Sequence, residues 1–173
     1  MVRYVFVAIS VVICVAVGPL SAAQKLEAHE MAFLEEAAQQ QLAEIALGKL
    51  AMKRAAGKSV KEFGAQLVED HQYASQEMKE LSAKEGIYLP VEMNDEQKHE
   101  QERLSHVPGK DFDKAFITHL LKTHRRHLQQ LRNNAAMLKH ERVKQWAEAT
   151  EPILAVHLKK AEHVAETLGL KAD

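Results

Sequence analysis

The chain has 173 residues, enough for one domain, with 23 basic and 24 acidic side chains and a net charge of −1. That balance leaves no basic excess to neutralise phosphates, which excludes a nucleic-acid partner on charge grounds. Seven glycines and four prolines in an Ala-, Leu-, Glu-, Lys- and Gln-rich chain make a helix-forming composition.

Met1-Val2-Arg3 is a short positive segment, Tyr4 to Val17 is apolar, Gly18-Pro19 breaks the run, and Leu20-Ser21-Ala22-Ala23 offers small residues. This order predicts a signal peptide over 1–23, cleaved near Ala22 or Ala23, and an exported, periplasmic or otherwise extracytoplasmic protein. The alternative is a retained anchor, since Tyr4 to Ala23 is about long enough to span a bilayer. Cys14, the one cysteine, lies in the apolar run, and Val11-Val12-Ile13 is a poor lead-in for lipidation. A mature domain over 24–173 then has no disulfide, so packing, a bound ion or both must stabilise it.

Four long helices and one short one are predicted. The first spans about Glu27 to Ala56, with Phe33, Leu34, Leu42, Ile45, Leu47 and Leu50 as its apolar positions, and Gly57-Lys58 ends it. Ser59-Val60-Lys61-Glu62 reads as a capping box for a second helix from Val60 to about Glu85, stopped by Gly86. Its stripe is Val60, Phe63, Leu67, His71, Ala74, Met78 and Leu81, so His71 occupies a core slot. A connector over 87–111 holds Pro90, a short helix near Asp95 to Ser105 opened by Asn94, and Pro108-Gly109. The third long helix, about Phe112 to Leu138, carries Ile117, Leu120, His124, Leu128, Leu131, Ala135 and Leu138. The fourth, about Glu141 to Leu168, carries Val143, Trp146, Thr150, Ile153 or Leu154, His157, Ala161, Val164 and Leu168. Pro152 is expected to kink it one turn before His157.

Three histidines thus interrupt apolar stripes, and their depths agree with that of a glutamate. Counted from a first turn near Lys58, Glu44 lies fourteen residues before and His71 thirteen after. Counted from a second turn near His140, His124 lies sixteen before and His157 seventeen after. Each helix is roughly 39–45 Å long at 1.5 Å per residue, which puts all four groups near mid-height. A polar group buried without a partner costs roughly 1–3 kcal/mol. Glu44, His71, His124 and His157 must therefore satisfy one another as a polar layer that fixes helix register, or hold water or a ligand. Three imidazoles and a carboxylate also suit a single transition-metal ion, Zn, Mn, Fe or Cu. Asp70, about 100° round the helix from His71, is placed to orient a neighbouring imidazole.

The other features read as solvated or structural. His119 and His127 point partly away from the stripe, and His29, His99, His106, His140 and His163 sit near helix ends or on polar faces. Lys53-Arg54, Arg125-Arg126 and Lys159-Lys160 are short basic pairs on mixed-charge helices, so the mature chain carries no strong membrane-surface signal. Ser59 has no His/Asp partner pattern for nucleophilic catalysis, and no Gly-rich phosphate loop is present.

Several segments together resemble a known family. They are Val68-Glu69-Asp70-His71, Gly86-Ile87-Tyr88-Leu89-Pro90, Phe112-Asp113-Lys114-Ala115-Phe116 with His124 eight residues on, and Pro152 followed by His157-Leu158. Glu44 followed by Gly48, Leu50 and Ala51 completes the set. From about Phe33 to Leu168 the chain resembles the bacterial domain of unknown function 4142, which belongs with the ferritin-like bundles. The resemblance implies an exported, all-α, ferritin-like four-helix bundle whose crossover connector carries the short helix, and it implies no activity. Two departures stand out. Arg125 follows His124 where the family usually has an acidic residue. Di-iron members of the ferritin-like class carry Glu three before His, and here Val68, Leu121 and Leu154 stand in those places.

The functional expectation is an exported binding or structural protein of the cell envelope, with a central Glu/His site suited to a transition metal. A metal-dependent redox enzyme and a metal-free interaction module are the alternatives, and a homo-oligomer or an envelope partner is compatible with either.

Overall fold

Among the described residues five helices follow in chain order: α1 (Ala28–Arg54), α2 (Lys58–Glu85), α3 (Asp95–Ser105), α4 (Gly109–Ala135) and α5 (Glu141–Thr167). The computed structural model describes residues 25–170, so the signal-peptide reading over 1–23 falls outside the described residues. α1 pairs with α2 and α4 with α5 as hairpins, α2 packs on α5 and α1 on α4, and α3 lies over α1 and α4.

Two apolar clusters fix the directions. One gathers Ala51 from the end of α1 and Ala55 just past it, Val60 and Phe63 from the start of α2, Phe112 and Phe116 from the start of α4, and Val164 from the end of α5. The other gathers Phe33 and Leu34, Met78 and Leu81, Leu128 and Leu131, and Val143 and Trp146 from the opposite ends. Neighbouring long helices are therefore all antiparallel, and the 86–108 connector travels the height of the bundle. This is the ferritin-like four-helix bundle with a crossover connector. α3, capped by Asn94 and Gln97 in a reciprocal box, is pinned by the fully buried Leu104. Among the described residues no helix is long and apolar enough to cross a membrane.

The hairpin entry differs from the sequence expectation. α1 stops at Arg54 and α2 begins at Lys58, with Gly57 as N-cap and no side-chain cap. Ser59 is thus inside α2, and the Ser59–Glu62 capping box does not form. A tertiary group takes its place. Asp113 of α4, itself buried, accepts the backbone N–H of Ala56 at 3.0 Å and of Gly57 at 2.7 Å. α4 likewise starts earlier than expected, at Gly109. α5 runs unbroken through Pro152, which withholds one backbone N–H but does not end the helix. Gly86 ends α2 in the left-handed region at φ 66°, as its lack of Cβ allows.

Gly48 and Gly64 set how close α1 and α2 come. A Cβ on Gly48 would lie 2.6 Å from the Gly64 carbonyl oxygen, and one on Gly64 would lie 2.7 Å from that of Gly48 and 2.8 Å from Ala51 Cβ. The nearest obstacle to each is a backbone carbonyl of the other helix, so the helices must separate. Gly64→Ala is expected to destabilise the bundle by about 1–3 kcal/mol, overpacking outweighing the better helix propensity of alanine. Urea unfolding checks this, and a midpoint at or above the parent's contradicts it.

Candidate metal centre

The two apolar clusters do not merge at mid-height, because a polar layer separates them. On α2, His71 falls between Leu67 and Met78; on α4, His124 falls between Leu121 and Leu128; on α5, His157 falls between Leu154 and Ala161. All three imidazoles are at most 2% exposed. Their ring centroids are 5.2 Å apart for His71 and His157, 5.5 Å for His124 and His157, and 6.3 Å for His71 and His124. One ring nitrogen from each lies within 4.8 Å of those from the other two.

Each ring is committed on one side only. His71 donates from Nδ1 to the Gln41 side-chain oxygen at 2.7 Å. His124 donates from Nδ1 to the Leu120 carbonyl at 3.2 Å. His157 donates from Nε2 to Asp70 Oδ2 at 2.8 Å. All three acceptors are oxygens without a proton to give, so each fixes the tautomer. The remaining nitrogens, His71 Nε2, His124 Nε2 and His157 Nδ1, carry lone pairs and have no hydrogen-bond partner although they are buried.

The surroundings hold these rings neutral. Burial, followed by repulsion from the neighbouring His157 and His124, pushes the pKa of His71 well below the ordinary histidine value. Burial lowers that of His124 to about 4. For His157 burial also wins, against the opposing effect of its hydrogen bond to Asp70. Neutral imidazole is the form that ligates a metal.

Glu44 is buried at the same level but stands beside the trio. Its Oε1 accepts from Gln40 at 2.8 Å and lies 3.9 Å from His124 Nδ1, beyond hydrogen-bond range, and its Oε2 has no partner. Burial raises its pKa, against the lowering effects of His119 and the Gln40 hydrogen bond. Four groups were expected around one centre. His71, His124 and His157 are brought together, Asp70 reaches His157 from a position one-third exposed, and Glu44 is outside the converging set.

The reason is register. The first turn is centred near Ala56, between Arg54 and Lys58, and not at Lys58. His71 lies fifteen residues after that centre, and Gln41 lies fifteen before it. Gln41, 4% exposed and bonded to His71, is the residue the sequence reading missed. Its signal was a glutamine three residues before Glu44, on the same helical face.

Three histidines read as solvated are not. His119 is held 2.9 Å from Glu100 of α3. His140 is 4% exposed and pairs with Glu85 at 3.1 Å, Glu85 also binding Arg142. His127 is half-buried and faces a cavity of about 60 Å³. His29, His99, His106 and His163 are exposed.

Comparison with known proteins agrees with the architecture. The model of the family described as Domain of unknown function (DUF4142) matches residues 16–164. Among solved structures, the chain is similar to the crystal structure of a DUF305 fragment from Deinococcus radiodurans. The TM-score is 0.72 and the identity 15%, over 84% of this chain and 99% of that one, a likeness of fold alone. No curated protein matches.

Proposed function

This chain belongs to the DUF4142 family, and we propose that it binds a single transition-metal ion through His71, His124 and His157. One observation carries this reading: three buried imidazoles each give their N–H to an acceptor and each leave a lone-pair nitrogen without a partner. Metal-ligating histidines carry this arrangement, the outer acceptor fixing the ring while the inner nitrogen binds. A metal-free polar layer would need those nitrogens bonded to something, at roughly 1–3 kcal/mol each when they are not.

Three neutral nitrogens with no carboxylate among them favour Zn or Cu over Mn. Ligand nitrogens at about 2.0–2.1 Å from a tetrahedral ion would lie about 3.4 Å apart, and these atoms already fall within 4.8 Å of one another, so the rings would need to move by no more than about an ångström. Glu44 then acts as a buried counter-charge and not as a ligand. Three protein ligands leave one position open, the form in which metal enzymes hold their ion. The di-iron carboxylate arrangement has no support here, because no glutamate stands three residues before any of the three histidines. From the pattern of residues 1–23 we also place the protein outside the cytoplasm, in the cell envelope.

Protein made without a His tag and stripped with chelator is expected to take up one equivalent of Zn(II) or Cu(II) in calorimetric titration. Uptake below about 0.1 equivalent of either would remove the metal reading and leave the interaction-module alternative.

A further inference from the structure

The cavity beside the imidazole trio has a lining suited to a second, exogenous ligand. It opens between α1, α4 and α5 and reaches both Gln41 and His71, one of the three imidazoles. Its volume of about 60 Å³ is room for roughly four to six waters at the 10–15 Å³ each requires, which limits an occupant to a few heavy atoms. Phe33, Leu131, Trp146 and Leu154 give it apolar walls.

The polar groups on that lining are mostly committed. The Gln40 amide donates to Glu44, that of Gln130 to Glu36, and that of Asn134 to the Gln130 carbonyl. Thr150 gives its hydroxyl proton to the Trp146 carbonyl. The exceptions are the Gln41 amide N–H2, whose oxygen alone is bonded, and His127. Arg126 donates to its Nε2 at 3.4 Å, which leaves the proton on Nδ1, and Nδ1 is buried without a partner. The ring is neutral, burial holding its pKa down at about 3.

We infer that this cavity receives a small ligand with an acceptor atom, a triatomic anion such as azide or nitrite. The ligand fills the open coordination position of the ion and accepts a hydrogen bond from His127 Nδ1. This rests on the three-histidine metal reading. A neutral N–H donor on this lining, which also carries the Glu36 carboxylate, recognises an acceptor, and the bound cation supplies the charge that an anion needs.

Azide is the probe, added to the Cu(II)-loaded chain while the azide-to-copper charge-transfer band is followed. The expected result is saturable binding to one site. His127→Leu should keep one equivalent of copper and bind azide about tenfold more weakly, the loss of one hydrogen bond. His127→Gln, which restores a donor, should recover much of the affinity. Ala37→Leu, which narrows the cavity away from the ion, should weaken azide and spare copper. Copper uptake without any azide response overturns the chamber and leaves the metal site standing. Failure to bind copper overturns both. Equal azide affinity in the parent and in both His127→Leu and Ala37→Leu also overturns the assignment.

Discussion

Replacing His71, His124 and His157 together by leucine is expected to leave the ion-free bundle at least as stable as the parent and to abolish its stabilisation by Zn(II). Both halves follow from the layer that divides the core. In the parent, three lone-pair nitrogens are buried without partners, and each costs roughly 1–3 kcal/mol unless an ion occupies the centre. Leucine has nearly the volume of histidine and would join the two apolar clusters into one. The acceptors left behind differ in consequence. The Leu120 carbonyl keeps its helix bond, and Asp70, partly exposed, can turn to water. Gln41 is the liability, since its oxygen would lose its donor while 4% exposed. The full test therefore adds Gln41→Met. For the parent, Zn(II) at about a thousand times its dissociation constant contributes about 4 kcal/mol. That corresponds to a rise of roughly 8–16 °C in melting temperature for a domain of this size. The quadruple variant should show no rise. A variant that still gains stability from Zn(II) would place the ion elsewhere, and one that fails to fold would make the histidines a structural requirement in their own right.

The sequence carries the architecture because each long helix has its own signals: apolar spacing of three or four, Gly86 as a stop, Asn94 as a cap. It also carries the level of the site, because a histidine that replaces one apolar residue in a stripe has to point inward. What it could not carry is which groups at that level touch. A shift of two residues in the centre of the first turn, set by Asp113 reaching across from α4, exchanges Glu44 for Gln41 as the partner of His71. The same limit explains His119, His127 and His140. Their helical positions looked peripheral, yet Glu100 on the crossover helix, the cavity wall and Glu85 at the end of α2 enclose them. Each of those neighbours comes from another element, and no local pattern announces it.

Acidification from pH 8 to pH 5 should lower the unfolding free energy of the ion-free protein by several kcal/mol, and more steeply when Zn(II) is bound. Above pH 6.5 the imidazoles are neutral in folded and unfolded chains alike, and contribute no slope. Below it the unfolded chain takes up protons that the buried rings refuse, so stability falls as pH falls. For His124, with its pKa held near 4 against 6.5, the loss by pH 5 is about 2 kcal/mol at about 1.4 kcal/mol per unit. His71 and His157 shift in the same direction. Glu44 works the other way. Its raised pKa makes the folded chain accept a proton first, a gain as pH falls toward 4.5, but one carboxyl opposes the three imidazoles and also His119 and His127, whose values burial lowers too. The carboxylates of Glu30, Glu85 and Glu100 have lowered values, so their stabilisation is lost only below about pH 4.5, outside this window. Bound Zn(II) adds to the slope, because a proton and the ion compete for the same lone pairs. The check is denaturant unfolding of parent and leucine variant across this range. The parent's slope should lessen in the variant, His119 and His127 keeping a remainder, and a parent equally stable at pH 8 and pH 5 would mean that the rings are not held neutral in the core.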